Sequence, residues 1–338
     1  MDEARRLRLL NEWQHGFPLV DRPFAELGRA VGASEDEVLD AFRAGLAEGV
    51  VSRIGPVVAP RRVGASALAA LAAPPERLAE VAARVSARPE VNHNYEREHS
   101  LNLWFVLTAA SQDALDAAVA AIAADTGLQP VVLPMVEAYH IDLGFDLCGI
   151  SAYRAGRREP VKQAARLASS PPCALPGIEQ GLLQALQRGL PIVPRPYEVL
   201  GERVELSGAL VCAFIDEWLA SGLLQRFGVV VRHHELGYTA NAMCVWDVPD
   251  DKVGEIGHLL GGEAQVTLCY RRRRALPQWR YNLFCMIHGK ARDEVLATRA
   301  GIAERLGLDQ WPHEVLFSRR RFKQRGACYL PDPEPADV

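Results

Sequence analysis

The sequence predicts an α+β protein made by tandem duplication. Each copy joins a helix-turn-helix (winged) module to a ferredoxin-like βαββαβ domain, and the two copies form a pseudo-dimer within one chain. The first observation is repetition: GFPLVDRP at 16–23 aligns with GLPIVPRP at 189–196, an offset of 173 residues, and GVVSRIGPVV at 49–58 aligns with GLLQRFGVVV at 222–231. The second is that, in each copy, helical periodicity gives way to alternating strands and helices.

The first part of copy one is predicted to form three helices. Residues 3–14 are a periodic apolar run, and PFAELGRAVG at 23–32 ends in glycine. The third helix, at 34–49, starts with Ser34 as N-cap, and Glu37 at N3 completes a capping box. Three helices with a tight turn, followed by the strand VSRIGPVVAP, indicate a helix-turn-helix.

The second part of each copy has the order βαββαβ. Copy one gives ASALAALAA, a helix at 75–87, VNHNYER, LNLWFVLTA, a helix at 111–125 and VVLPMVEAYHI; copy two gives ANAMCVWDV, a helix at 250–261, AQVTLCYR, RYNLFCMIHG, a helix at 290–305 and WPHEVLFS. We therefore place helix-turn-helix module 1 at 1–60, ferredoxin-like domain 1 at 61–147, a linker at 148–178, helix-turn-helix module 2 at 179–232 and ferredoxin-like domain 2 at 233–330.

Composition excludes several classes of protein. The chain has 338 residues, 49% of them hydrophobic, and a net charge of −4, which is ordinary for a globular protein. It has no long apolar run and no apolar signal core, so we expect a cytoplasmic protein without a membrane partner. The seven cysteines show no CxxC spacing, which argues against a disulfide framework or a zinc site.

The predicted recognition helices argue against DNA binding, although helix-turn-helix modules are typical of transcription regulators. A recognition helix must bring basic or amide side chains to a phosphate-lined groove. The helix at 34–49 carries five acidic residues against Arg43 alone, and its counterpart at 208–222 carries Asp216 and Glu217 and no basic residue. We therefore expect no nucleic-acid partner.

Strand alternation gathers unusual polar residues on shared faces. One face in copy one holds Val91, His93, Tyr95 and Arg97, the equivalent face in copy two holds Val266, Leu268, Tyr270 and Arg272, and the next strand presents Arg280, Asn282, Phe284, Met286 and His288 together. The run Arg271–Arg274, with Tyr270 and Trp279 beside it, is either a solvated hairpin tip or a site for a flat anionic aromatic ligand. In this run, Arg271 and Arg273 should lie on the opposite strand face from Arg272.

The motifs HNYEREHSLNLWF, RFGVVVRHHELGY, ANAMCVWDVP, NLFCMIHG and SRRRFKQRGACY together resemble those of the siroheme decarboxylases. This family is related to the feast/famine (Lrp/AsnC) regulators and acts in heme d1 and alternative heme biosynthesis. The resemblance covers residues 5–330 apart from the linker, with copy one similar to the D-type subunit and copy two to the L-type. It implies removal of the C12 and C18 acetate carboxyls of siroheme to give 12,18-didecarboxysiroheme.

The resemblance also implies a site. The proton donor is expected among His233, His288, His93 and His99. Substrate binding is expected from Arg97, Tyr95, Tyr270, Arg271, Arg272, Arg274, Trp279, Arg280, Arg320 and Lys323. No cofactor is expected, because the iron belongs to the substrate, which a histidine could contact.

Several alternatives stay open at this point. The protein could instead be an Lrp/AsnC-type transcription regulator or a heme-binding sensor or carrier without turnover. Pro60 aligns with His233 and Thr108 with His288, so the copies are not equivalent, and we favour one productive site over two. The expected partners are siroheme and related iron tetrapyrroles; a homo-oligomer and association with other heme d1 enzymes are both compatible with the sequence.

Overall fold

The structure is a computed structural model that describes residues 1–60, 62–141, 175–232, 240–327 and 329. The helices in these ranges are α1 (Glu3–Glu12), α2 (Pro23–Val31), α3 (Glu35–Ala47), α4 (Leu78–Ala87), α5 (Gln112–Thr126), α6 (Gly177–Gln187), α7 (Pro196–Glu202), α8 (Gly208–Ala220), α9 (Val253–Gly261) and α10 (Arg292–Leu306). The strands are β1 (Val51–Val58), β2 (Ala65–Leu71), β3 (Val91–Arg97), β4 (Leu103–Ala109), β5 (Val131–Ile141), β6 (Leu224–Val231), β7 (Ala240–Trp246), β8 (Val266–Arg272), β9 (Leu283–Gly289) and β10 (His313–Gln324). No helix in the described ranges is long and apolar enough to cross a membrane.

The chain divides into two compact units. Unit 1 holds the described residues 1–60, 62–63 and 175–232, and unit 2 holds 64–141, 240–327 and 329. Both helix-turn-helix modules therefore belong to unit 1, and the βαββαβ parts of both copies belong to unit 2.

Unit 1 joins the two three-helix modules through an antiparallel ribbon of β1 and β6, in which Gly55 pairs with Gly228. The predicted capping box is present, because Ser34 Oγ accepts a hydrogen bond from the Glu37 amide while the Glu37 carboxylate accepts one from the Ser34 amide. Gly32 ends α2 in the left-handed conformation at φ 71°. The predicted helices are thus confirmed.

The basic residue of α3 is engaged within unit 1. The Arg43 guanidinium donates hydrogen bonds to the Asp40 carboxylate at 2.9 Å and to the Ile192 carbonyl at 3.0 Å. An arginine that reads DNA must direct its guanidinium to the phosphate or base edge. To contact DNA, Arg43 would first have to leave both of these partners.

Unit 2 is a closed eight-stranded barrel with the strand order β10-β3-β4-β2-β5-β8-β9-β7. Each copy contributes four neighbouring strands, and β10–β3 and β5–β8 pairing joins the copies at both edges. The predicted α+β duplication is confirmed, and the pairing shows how the pseudo-dimer forms: the last strand of each copy pairs with the second βαββαβ strand of the other.

Two of the hydrophobic clusters in unit 2 lie between a sheet and its helices, one in each copy. The third, which we call the interior cluster, draws on the opposite strand faces of both copies. It consists of Leu68, Ala70, Leu101, Trp104, Leu133, Met243, Val245, Trp279, Phe284 and Leu316. The barrel interior is therefore shared by the two halves of the chain.

Bulges in β3 and β8 change which face of the strand the first residue occupies. The register of strand pairing shifts between Val91 and His93 and between Val266 and Leu268, and each shift reverses once the alternation of side chains between the two faces. Val91 and Val266 consequently pack in the helix-side clusters, and the prediction that they share a face with the arginines was wrong.

Candidate functional site

Two arginines project inward from opposite walls of the barrel, one from each copy. The Arg97 guanidinium donates a hydrogen bond to the Leu316 carbonyl at 3.0 Å, and the Arg272 guanidinium donates one to the Leu133 carbonyl at 2.9 Å. Leu316 and Leu133 belong to the interior cluster and occupy equivalent places in the two copies. Duplication has therefore produced two similar arginine sites.

Each arginine lies beside a tyrosine of its own strand. The Arg97 guanidinium carbon is 5.9 Å from the ring centroid of Tyr95, and that of Arg272 is 5.2 Å from the centroid of Tyr270. Burial raises the pKa of both phenols above the ordinary value. Both tyrosines therefore stay neutral and supply no counter-charge.

The two guanidiniums are positive charges in an apolar setting. Arg97 is 8% exposed, and burial lowers the pKa of Arg97 and of Arg272 to about 10 each. Within the described part of the chain, neither forms an ion pair with a carboxylate, and the Nε atom of each is enclosed without a hydrogen-bond partner. A buried cation is stable when an anion pairs with it, so the site is suited to a ligand carboxylate.

Arg271 and Arg274 of the run, and Arg280 further along the hairpin, have acidic partners from the segment after β7. The ion pairs are Arg271–Asp250 at 3.0 Å, Arg274–Asp250 at 2.9 Å, Arg274–Asp247 at 2.7 Å and Arg280–Asp247 at 2.8 Å. The prediction that Arg271 and Arg272 face opposite sides is confirmed, because Arg271 contacts Asp250 while Arg272 lies inward. The acids hold the β8–β9 hairpin, and any ligand carboxylate would have to compete with them.

That hairpin inserts Trp279 into the interior cluster, where it is 1% exposed. Its ring contacts four others, with centroid distances of 5.4 Å to His99, 4.9 Å to Trp104, 5.0 Å to Tyr281 and 6.1 Å to Phe284. The predicted binding residue Trp279 thus forms an aromatic wall at the hairpin end of the barrel.

Three histidines of the predicted set, His93, His99 and His288, lie among the described residues. His99 is at the hairpin end, where its Nδ1 accepts a hydrogen bond from the Leu101 amide at 2.9 Å and burial lowers its pKa. His93 stacks on Tyr95 at 6.3 Å between centroids. His233 lies outside the described residues.

His288 follows Phe284 and Met286 on one face of β9, toward the end of the strand away from the hairpin. The Arg97 Nη2 atom is 4.0 Å from the Met286 sulfur, and His288 lies roughly 7 Å further along the strand. Arg97 of copy one therefore reaches β9 of copy two, on the strand face that also carries His288. At the position equivalent to His288, copy one has Thr108.

The predicted β10 residues, Arg320 and Lys323, both contact groups of the protein. Lys323 Nζ donates hydrogen bonds to the carbonyls of Ser86 and Arg88 at 2.6 and 2.8 Å, and Arg320 stacks on the Phe322 ring at 4.8 Å. Arg321, which the sequence reasoning missed, pairs in register with Tyr95 and adds positive charge beside it.

Asp247 and Asp250 were also missed, although the sequence carries a signal for them. They occupy the positions of Ala72 and Pro75 in copy one, which also lacks the arginine run. The acids and the arginine run both occur in copy two and both lack counterparts in copy one, which indicates that they contact each other. In the described part of unit 2 and unit 1, no group of three or more His, Cys, Asp or Glu side chains could hold a metal ion.

Family models match both copies. The model for the siroheme decarboxylase NirDL-like HTH domain matches residues 7–51 and 179–224, and that for the AsnC-like ligand binding domain matches 62–140 and 235–323. The siroheme decarboxylase NirDL subunit of Paracoccus denitrificans is 42% identical over 321 residues, covering 95% of this chain and 96% of that protein.

Two further relatives bear on the duplication and the ligand. The siroheme decarboxylase NirD subunit of Pseudomonas aeruginosa is 55% identical over 147 residues, which are 97% of that subunit but 44% of this chain. The crystal structure of the siroheme decarboxylase NirDL in complex with an iron-uroporphyrin III analogue has a TM-score of 0.66 and 29% identity, covering 96% of this chain and 93% of that one.

Proposed function

Because this chain belongs to the siroheme decarboxylases, we propose that it removes the C12 and C18 acetate carboxyls of siroheme as carbon dioxide, in heme d1 biosynthesis. The product is 12,18-didecarboxysiroheme. The reaction takes place in the cytoplasm and needs no cofactor beyond the iron already in the substrate.

One observation carries the proposal: Arg97 and Arg272 are inward-facing guanidiniums without a carboxylate partner among the described residues. Siroheme brings eight carboxylates on a flat ring. Guanidinium pairs bidentately with carboxylate, so each of the two arginines can hold one carboxylate of the ring. The two arginines anchor carboxylates that stay on the substrate.

The acetate that leaves needs a different environment. Loss of carbon dioxide breaks the bond between the carboxyl and methylene carbons and leaves the electron pair on the methylene side. A proton must then reach that carbon to complete the methyl group. A guanidinium would stabilise the acetate carboxylate and so raise the barrier to its loss as carbon dioxide. An acetate that lies among apolar side chains lacks this stabilisation, and its barrier is lower.

Among the described histidines we assign the proton donor to His288, ahead of His93 and His99; His233, the other favoured candidate, lies outside the described residues. The His99 Nδ1 accepts a backbone hydrogen bond, which an imidazolium could not do, and burial lowers the pKa of His99 further from neutrality. The Arg97 guanidinium reaches Met286, two residues before His288 on β9, whereas copy one carries Thr108 at the position equivalent to His288. This asymmetry favours a single productive site built from both copies.

Anaerobic incubation of the purified protein with siroheme, followed by mass spectrometry, tests the function. Loss of two carbon dioxides per siroheme supports it, whereas a bound and unchanged tetrapyrrole indicates a sensor or carrier. Salt-sensitive binding to an operator sequence without turnover indicates a regulator.

The single variants Arg97→Met and Arg272→Met test the carboxylate anchors. We expect each to weaken siroheme binding roughly a hundredfold, because each removes one buried ion pair. Arg299→Met is the matched control, since Arg299 lies on α10 and already pairs with Asp309 at 2.6 Å. Equal loss of affinity in all three variants would refute the assignment.

A further inference from the structure

We infer that Thr267 is a positioning residue that fixes the proton of His288 on Nδ1. The inference rests on the proposed role of His288 as proton donor. Thr267 is 4% exposed and lies in β8 at the bulge between Val266 and Leu268. Its Oγ1 is 3.0 Å from His288 Nδ1 and 3.2 Å from the carbonyl oxygen of Met286.

These two contacts determine the direction of both hydrogen bonds. A hydroxyl has one proton to donate, and a carbonyl oxygen can only accept. If Thr267 donates to the Met286 carbonyl, its oxygen remains an acceptor toward the ring. His288 must then donate from Nδ1, and this is the one arrangement that makes both contacts hydrogen bonds.

The protonated Nδ1 determines which atom reacts. With Nδ1–H held by Thr267, the second proton of the imidazolium sits on Nε2, and the proposed donor role makes that proton the one transferred. When Nε2 gives it to the methylene carbon, the ring becomes neutral with the proton still on Nδ1. Thr267 therefore stabilises the state that the transfer produces, and solvent protonation of Nε2 restores the acid.

Copy one has a side-chain hydrogen bond at the equivalent place, but without a titratable group. At the positions equivalent to Thr267 and His288 it has Asn92 and Thr108, and the Asn92 amide donates to Thr108 Oγ1 at 2.7 Å. The two strands are thus bridged at this point in both copies. In the described barrel, a histidine is part of this bridge in copy two and not in copy one.

Long-range ¹H–¹⁵N spectra of the histidine-labelled full chain test the tautomer directly, and His288→Gln identifies the signals. In the wild-type protein we expect a protonated Nδ1 and an unprotonated Nε2 in the neutral ring. Thr267→Val should shift the proton toward Nε2, Thr267→Ser should keep it on Nδ1, and Thr108→Val is the matched control that should leave it there. A wild-type His288 protonated on Nε2 would overturn the inference, even if Thr267→Val does not fold.

Kinetics test the consequence. We expect Thr267→Val to lower kcat between about tenfold and about a hundredfold, the range for removing an orienting hydrogen bond from a metal-binding histidine. Siroheme affinity should change less than about twofold, and Thr267→Ser should restore kcat. An unchanged kcat despite a changed tautomer overturns the positioning role. Full activity of His288→Gln would instead show that His288 is not the proton donor. The spectra report the tautomer independently, so this outcome is distinguished from a wrong tautomer.

Discussion

Replacement of Arg97 by Met should make the free protein more stable and the substrate complex weaker. Methionine keeps most of the length of the side chain and removes the charge. Stability and binding are expected to move in opposite directions because Arg97 is held in the interior without an acidic partner in the described part of the barrel.

The magnitude follows from the burial of the guanidinium. Burial lowers the pKa of Arg97 from 12.5 to about 10, and each pKa unit corresponds to roughly 1.4 kcal/mol, so keeping the charge costs about 3 kcal/mol. Loss of the hydrogen bond to the Leu316 carbonyl offsets about 1 kcal/mol of this. We expect the free energy of unfolding of Arg97→Met to rise by about 2 kcal/mol.

Urea unfolding of the substrate-free protein measures the first effect, and titration with siroheme measures the second. Arg272→Met should change both quantities in the same directions, with a smaller gain in stability because Arg272 is partly exposed. Arg299→Met should lose about 1 to 2 kcal/mol, since it breaks the pair with Asp309. The reasoning is refuted if Arg97→Met is less stable than wild type and binds siroheme equally well.

Three other changes test separate parts of unit 2. Asp247→Ala should lower stability by about 1 to 2 kcal/mol and increase hydrogen exchange in the β8–β9 hairpin, because Arg280 loses its carboxylate partner and Arg274 loses one of two; an unchanged exchange rate would argue against the acid holding the hairpin. Gly64→Ala should cost more than about 2 kcal/mol in urea unfolding, because φ is +59° and the new Cβ would lie 2.2 Å from the Ala109 carbonyl oxygen; a neutral effect would contradict this backbone geometry. Burial lowers the pKa of His99 in the folded protein, so as pH falls His99 is protonated in the unfolded protein first. The stability that neutral His99 contributes is therefore present above its unfolded pKa of about 6.5 and is lost as pH falls through its folded pKa. The deficit in Tm of His99→Gln should therefore shrink between pH 7 and pH 5, and a deficit that grows would contradict the direction of the shift.

The fold was largely predictable because the duplication supplies the same pattern twice. Helix caps such as Ser34 with Glu37 are local, and strand alternation assigned Tyr95 and Arg97 correctly to one face. The error at Val91 arose from a bulge, which inserts one residue without any mark in the hydrophobic pattern.

The candidate site was predicted less completely. Strand alternation separated Arg272 from Arg271, but nothing in the sequence separated Arg272 from Arg274. The acids that bind Arg271 and Arg274 lie more than twenty residues earlier in the chain. Lys323 is a similar case, because its partners are backbone carbonyls of α4 and the residue that follows it.

The sequence by itself determined the repeat, the order of helices and strands, the family and the residue types suited to a carboxylate-rich ring. These properties depend on periodicity and on motifs within short stretches of chain. Tertiary structure alone decided that the two sheets close into one barrel, that Arg97 and Arg272 have no acidic partner among the described residues, and that Thr267 contacts His288. The physical reason is that pairing between strands distant in the sequence determines which charged side chains come into contact and which are buried without an opposite charge nearby. The local sequence of the arginine run does not specify that pairing.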